Sequence, residues 1–137
     1  MISLAELSTH VWACAPNYVE LFLEDLAALD LSDLVVPTAD DKAPPAFAVE
    51  NGIAQIPITG MIMREVPAQL KAAGIPATST KETGEKIAAA LADETISAIM
   101  MNIDSPGGTL AGTAELADLI FSAREIKPIH AHTEDIA

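Results

Sequence analysis

A mostly apolar run that ends in a double glycine constrains the fold of this chain more than any other feature. Residues 96–103 carry the run, and Asp104-Ser105-Pro106-Gly107-Gly108 follow it, ahead of a helical spacing of apolar residues over 109–124. Such a run predicts a buried strand. Glycine is required where the backbone takes positive φ or approaches another group closely. The sequence therefore predicts a strand, a tight turn and a helix. The turn either is an ordinary connection or presents backbone N–H groups that stabilise an oxyanion.

The chain after residue 46 alternates between strand and helix signals. Asn51-Gly52, a strong hairpin signal, joins predicted strands at 47–50 and 53–58. The spacing of apolar residues predicts helices at 68–73, 80–92 and 109–124, strands at 96–103 and 128–133, and a loop or strand at 61–63. Thr80 is the predicted N-cap of the helix at 80–92. Helix, strand, helix and strand in succession predict an α/β fold with a mostly parallel sheet and crossover helices.

Residues 1–36 predict an N-terminal helical appendage of one or two amphipathic helices. Pro16 can open the second helix, whose apolar face consists of Val19, Phe22, Leu23, Leu26 and Leu29. Residues 37–45 are polar and proline-rich, which is typical of a linker, so we place a domain boundary there and the main domain at 46–137. Cys14 is the only cysteine, which excludes an internal disulfide, and we assign it a structural role.

The charge and hydropathy of the chain exclude several function classes. Seven basic and 20 acidic residues give a net charge of −13, which argues against binding nucleic acid or an anionic membrane. No apolar run is long enough to predict a membrane span, and the basic start of a secretory signal is absent. The sequence predicts neither a cofactor nor a metal as part of the function.

Several segments between residues 46 and 137 together resemble one family. They are Ile53-Ala54-Gln55-Ile56-Pro57-Ile58-Thr59-Gly60, the stretch from Ala98 through Asp104-Ser105-Pro106-Gly107-Gly108, Ala111-Gly112, and Lys127-Pro128-Ile129-His130-Ala131. In this combination they resemble the signal peptide peptidase A (protease IV) family of serine peptidases, including its phage prohead-protease relatives. The resemblance implies the fold of the Clp protease subunit and the crotonases.

The same resemblance implies roles for the double glycine. Gly108 would supply an N–H of the oxyanion hole, and Gly107 would make the turn possible. The family uses a serine nucleophile and a lysine base, and both normally lie downstream of the last strand predicted here, so we assign neither role. Residues 134–137 resemble the approach to the nucleophile segment. We therefore expect this chain to be a truncated first half of such a peptidase domain, inactive alone.

Family members hydrolyse peptide bonds through an acyl-enzyme, and phage members mature the prohead by cutting scaffold and capsid proteins. The implied partners are a peptide or protein substrate and, at full length, further copies of the chain. Because bacterial members usually carry a membrane anchor, the missing apolar span favours the phage-type branch, located in the host cytoplasm or the virion. The alternative is a non-catalytic assembly or interaction module of a phage shell. A crotonase-type acyl-CoA enzyme is disfavoured, because it would require basic residues near the nucleotide and this acidic chain has few.

Other reactive side chains have structural interpretations. Ser105 lies within the turn motif, where the family does not place its nucleophile. Lys127 precedes a strand and is expected to be solvated. Asp93 and Glu94 are expected at a solvated helix end rather than as an acid pair.

Two further pairs leave alternatives open. His130 and His132 share one face of the predicted last strand, an arrangement that could bind a metal but is a weak signal by itself. Met61 and Met63 lie in an apolar run and are expected in the core. Alternatively, they line a peptide-binding groove, because methionine adapts to varied side chains.

Overall fold

The computed structural model describes residues 9–29 and 46–133, which form eight strands and four helices. The strands are β1 (Trp12–Cys14), β2 (Ala48–Glu50), β3 (Ile53–Thr59), β4 (Met61–Met63), β5 (Ala77–Ser79), β6 (Ala98–Asp104), β7 (Gly107–Thr109) and β8 (Ile129–Thr133). The helices are α1 (Pro16–Ala28), α2 (Ala68–Ala72), α3 (Thr80–Ala92) and α4 (Thr113–Ala123). The α/β class agrees with the prediction. The strands form two mixed sheets, however, where the sequence predicts one mostly parallel sheet.

The first sheet has the strand order β2-β3-β6-β8. Strands β3, β6 and β8 are parallel, and β2 pairs antiparallel with β3. The predicted hairpin is confirmed, with φ values of 52° at Asn51 and 77° at Gly52, since a type I′ turn requires two positive values. Ile56 of β3 and Ile99 of β6 are fully buried, as expected for the central strands of a sheet covered by helices.

The second sheet has the order β1-β7-β4-β5, with β7, β4 and β5 parallel and β1 antiparallel at the edge. Strand β3 continues into β4 through Gly60, and β6 continues into β7 through Ser105 and Pro106. Both chain segments therefore leave the first sheet at the carboxyl ends of neighbouring parallel strands and enter the second sheet there.

Two clusters of buried apolar side chains stabilise these layers. The first core cluster joins the first sheet to α3 and α4, and its fully buried members include Ile56, Ile87 and Ile99. The second core cluster joins the second sheet to α1 and α2, and it consists of Phe22, Leu26, Met61, Met63 and Leu70. Burial of such side chains contributes about 1.5–3 kcal/mol each relative to exposure, so α1 is held to the second sheet mainly by Phe22 and Leu26.

Residues 12–14 form a strand, which corrects the helix predicted for the N-terminal appendage. Trp12 and Cys14 are half-buried, and Ala13 between them is exposed, the alternation of a strand. Three residues are too few to show a period in the sequence, and their structure depends on pairing with β7. The helix that Pro16 opens is confirmed.

Two helix starts also differ from the prediction. Helix α4 begins at Thr113 rather than at residue 109, because residues 107–109 are paired as β7 and Gly112 then turns the chain with a φ of 85°. Helix α3 spans the predicted residues, but its N-cap is Ser79, not Thr80: the Ser79 hydroxyl accepts a hydrogen bond from the Glu82 amide at 3.2 Å. That bond satisfies one of the free amides at the helix start.

Some predictions lie outside the described residues. They concern the linker at 37–45, residues 1–8 of the appendage and the segment 134–137. Among the helices of residues 9–29 and 46–133, none is long and apolar enough to cross a membrane.

Candidate functional site

The double glycine lies where the two sheets are joined. The Gly60 amide, at the end of β3, donates a hydrogen bond to the Asp104 carbonyl, at the end of β6, at 3.0 Å. Three residues later the chain reaches Gly107 and Gly108, which belong to β7. The site therefore sits beyond the carboxyl ends of two neighbouring parallel strands, the usual place for ligands in α/β sheets.

Ser105 organises the connection between β6 and β7. Its side chain is 3% exposed, and its hydroxyl donates to the Gly60 carbonyl at 2.6 Å. The same oxygen accepts a hydrogen bond from the Gly107 amide at 3.1 Å. Ser105 thus fixes the position of the double glycine relative to the other chain crossing, a role that the sequence did not indicate.

The two glycines are required for different reasons. Gly107 has a φ of 109°, which side chains rarely tolerate. Gly108 has no positive φ within this structure; instead, a Cβ on Gly108 would lie 1.9 Å from the Ile62 carbonyl oxygen of β4. The prediction of a turn that leads directly into a helix is therefore corrected: the double glycine forms a strand, and Gly108 allows the close approach of β4.

The ladder between β1 and β7 determines the direction of the Gly108 amide. Leu110 donates its amide to the Val11 carbonyl at 2.8 Å, which makes Val11 and Leu110 a hydrogen-bonded pair. Such pairs alternate along antiparallel strands, so the next one is Ala13 with Gly108, which the register places opposite each other. The Gly108 N–H therefore points at the Ala13 carbonyl of β1, rather than at the open space that the sequence predicts.

Met61 and Met63 lie in the second core cluster, each only 4% exposed. Trp12 and Cys14 of β1 pack against this cluster from the edge of the sheet, and the Trp12 ring meets the Phe22 ring edge-on at a centroid distance of 6.0 Å. Burial raises the pKa of the Cys14 thiol. Apolar side chains of β1, the strand beside β7, thus pack against the cluster that contains both methionines.

A cleft of about 330 Å³ opens at the far end of β7. It is lined by His10, Met63, Arg64, Glu65, Pro67, Thr109 and Ala111. The sequence did not predict Arg64 as part of a cleft, since it reaches this place only through the pairing of β4 with β7.

The described serines all have structural hydrogen bonds. Ser79, Ser97, Ser105 and Ser122 each donate the hydroxyl to a backbone carbonyl, of Arg64, Gly52, Gly60 and Asp118 respectively. We therefore assign the nucleophile to none of them.

Lys127 is not free in solvent, which corrects the sequence interpretation. Its amine donates to the carbonyls of Ala90 at 2.8 Å and Asp93 at 2.6 Å, at the carboxyl end of α3. A cation in this position satisfies carbonyls that a helix end leaves unpaired. The same helix end contains Asp93, whose side chain accepts the Thr95 hydroxyl at 2.7 Å and the Thr95 amide at 2.9 Å. These two bonds hold the pKa of Asp93 below its ordinary range.

His130 and His132 are exposed on β8, opposite Met100 and Asn102 of β6. Within the ranges that the structure describes, no group of three or more histidine, cysteine or acidic side chains is arranged to hold a metal ion. Glu134 and Asp135, which the sequence places near these histidines, lie outside the described residues.

Two phage proteins are similar in sequence to this chain. No family model matches the chain. Capsid assembly protease C of Escherichia phage lambda is 32% identical over 116 residues, which cover 82% of this chain and 25% of that protein. Head-tail preconnector protein GP5 of Enterobacteria phage P21 is 33% identical over 91 residues, 66% of this chain and 18% of that protein. The chain thus spans a quarter or less of these relatives, and the similarities support a phage prohead-protease-like family.

Proposed function

We propose that this chain supplies the oxyanion donor and part of the peptide-binding surface of a serine peptidase of the signal peptide peptidase A type. In this proposal residues 46–137 are the first half of a Clp-protease/crotonase-like domain, preceded by the appendage at 1–36 and the linker at 37–45. The observation that carries it is the placement of Gly108 in β7, beyond the ends of β3 and β6. The printed name of the phage lambda relative, a capsid assembly protease, favours a role in prohead maturation.

In the proposed reaction this half of the domain provides a hydrogen-bond donor for the oxyanion. A serine hydroxyl attacks the carbonyl carbon of the scissile peptide bond, a lysine amine accepts the hydroxyl proton, and the carbonyl oxygen becomes an oxyanion. The Gly108 N–H would donate a hydrogen bond to that oxygen once the Ala13 carbonyl no longer lies opposite this N–H. One such donor is typically worth about 10²–10³ in rate, provided that its position is fixed, which Ser105 and Ile62 ensure.

Nucleophile and base are not assigned to described residues, so we expect the 137-residue chain alone to be inactive. The substrates of the active peptidase would be scaffold or capsid proteins. The full-length protein would be a homo-oligomer, and it would be located in the host cytoplasm or the virion. No nucleic acid, membrane or cofactor takes part in this mechanism.

A chimera tests the proposal. The part of capsid assembly protease C that follows the matched region is appended to this chain, and cleavage of casein is measured for the chimera and for the 137-residue chain. We expect the chimera to cleave casein and the 137-residue chain not to. The substitution Ser105→Ala should misplace the Gly108 amide, so a chimera with this substitution should no longer cleave. A folded chimera that cleaves neither casein nor a co-expressed phage capsid protein contradicts the proposal.

A non-catalytic assembly module is the second candidate. Phe121 of α4 and Ile126 beyond it are 61% and 69% exposed, and large exposed apolar side chains are common at protein interfaces. The printed name of the phage P21 relative, a head-tail preconnector protein, also suggests an assembly role. A chimera that assembles with capsid protein, but never cleaves, would favour this candidate.

A further inference from the structure

We propose that residues 11–14 act as a peptide ligand bound in cis to β7, and that they must be displaced before another extended peptide can reach Gly108. This inference deepens the proposed function and rests on it for the identity of the displacing peptide as substrate. It concerns the backbone edge of residues 107–110, called the β7 edge below.

Strand β1 occupies the β7 edge through backbone pairing. Strand β1 lies antiparallel to β7 with Trp12, Ala13 and Cys14 opposite Thr109, Gly108 and Gly107. An extended peptide that adds to the β7 edge would use the same amides and carbonyls. Since the Gly108 amide is directed at Ala13, the ladder and an oxyanion compete for one donor. Occupation by β1 therefore blocks both the peptide position and the oxyanion position.

The side chains of β1 alternate between the second core cluster and solvent. Trp12 and Cys14 face the second core cluster with Met61 and Met63, while Ala13 is exposed between them. This pattern is that of a ligand with two apolar side chains spaced two residues apart, packed against a cluster that contains two adaptable methionines. The competing ligand class is thus an extended, uncharged peptide with apolar residues at the two positions that match Trp12 and Cys14.

Strand β1 is short and lies at the edge of its sheet, so it can detach more easily than the central strands. It is three residues long, and the flanking Val11 is 68% exposed. Short edge strands open at a lower free energy than the central strands of a structure do. Helix α1 remains attached through Phe22 and Leu26, so β1 can detach while the helix stays in place. Because the helix tethers β1, the local concentration of β1 at the β7 edge stays high.

The experiment uses the full chain and two proline variants. Ala13→Pro removes the amide that pairs with Gly108, whereas Ala15→Pro is the matched control, because Ala15 already has a φ of −63°. Amide hydrogen exchange is followed at Gly108 and Leu110, with Ile99 of β6 as the internal reference for folding. Trp12 emission and alkylation of Cys14 provide two further readouts, since both residues are unique in the chain.

In the wild type and in Ala15→Pro we expect the Gly108 and Leu110 amides to be protected, but less than the Ile99 amide. In Ala13→Pro both amides should exchange rapidly while Ile99 stays protected, Trp12 emission should shift to the red, and Cys14 should be alkylated faster. A fluorescein-labelled peptide with the sequence of residues 9–15 should bind Ala13→Pro about tenfold more tightly than the wild type, because an occupied site lowers the apparent affinity by its open fraction. A peptide with the same residues in scrambled order should show no such difference in binding.

Exchange of Gly108 and Leu110 in the wild type at the rate of an unstructured peptide would overturn the inference, and so would equal peptide binding by the wild type and Ala13→Pro. If Ala13→Pro loses protection at Ile99, it is unfolded, and the wild-type exchange rates alone decide. None of these readouts requires turnover. Peptide binding to the freed β7 edge without cleavage by the chimera would uphold the inference and contradict the proposed peptidase.

Discussion

The hydroxyl of Ser105 donates to the carbonyl of Gly60 at 2.6 Å, and this bond links the two places where the chain passes from one sheet to the other. It joins residues 45 positions apart in the sequence. Because the same oxygen accepts the Gly107 amide, the buried hydroxyl satisfies one half-buried acceptor and one half-buried donor. The double glycine is therefore held by a side chain that precedes it by two residues.

We predict that Ser105→Ala lowers the free energy of unfolding by about 1–3 kcal/mol, the cost of losing the two hydrogen bonds that this buried hydroxyl makes. Ser97→Ala is the control, since the Ser97 hydroxyl also donates to a glycine carbonyl, that of Gly52, but is exposed. It should cost less than about 0.5 kcal/mol. Urea unfolding of both variants makes the comparison, and equal losses would show that the Ser105 bond contributes nothing special.

Gly108 gives a second prediction. Gly108→Ala should lower stability by at least about 3 kcal/mol, the upper end of the usual cost of overpacking, because the new Cβ would meet the Ile62 carbonyl at 1.9 Å. Gly74→Ala is the control: it has a φ of 70°, and nothing described lies within 4 Å of its Cβ. It should cost only the roughly 1–2 kcal/mol of left-handed backbone.

Thermal unfolding of the two alanine variants checks this prediction. A Gly108→Ala variant as stable as Gly74→Ala would mean that β4 and β7 do not approach so closely. The expected result also has a consequence for function: substitutions at Gly108 remove stability and any oxyanion role together, so activity measurements on them cannot separate the two.

The sequence predicted those elements whose signals are local. The Asn51-Gly52 hairpin, the helix opened by Pro16 and the apolar run of β6 each depend on residues within one short window, and the structure agrees with them. The sequence failed where pairing over long distances decides. Strand β1 and the strand character of Gly107–Thr109 exist because the two segments pair with each other, and no local pattern announces that pairing.

The candidate site shows the same division. The position of the double glycine after a buried strand was predictable, because apolar runs and glycines are visible in the sequence. The contacts of Gly108 with Ile62 and Ala13 were not, since both partners belong to strands far away in the sequence. For this reason the sequence predicted an open amide, and the structure has a paired one.

Lys127 yields a third prediction. Lys127→Met should destabilise the fold by about 1–2 kcal/mol, because the carbonyls of Ala90 and Asp93 lose a charged donor at the end of α3. Lys86→Met, in the middle of the same helix, is the matched control and should have a smaller effect. Chemical denaturation at low and high salt provides the measurement. If Lys86→Met proves equally costly, the amine of Lys127 does not cap the helix.

The last prediction concerns acid stability and Asp93. The hydroxyl and the amide of Thr95 lower the pKa of Asp93 in the folded chain. A carboxyl with a lowered folded-state pKa contributes stability above its unfolded pKa and loses that contribution as pH falls through the folded-state value.

Wild type should therefore be more stable than Asp93→Asn at neutral pH, and the difference should shrink as the pH drops from the ordinary aspartate pKa to values below it. In the Thr95→Val background the same substitution should show a weaker pH dependence, because the strongest cause of the shift, the Thr95 hydroxyl, is gone. Unfolding free energies of all four chains across this pH range give the answer. A difference that is independent of pH in the wild-type background would contradict the role of the Thr95 bonds, since an asparagine side chain can accept them but cannot ionise.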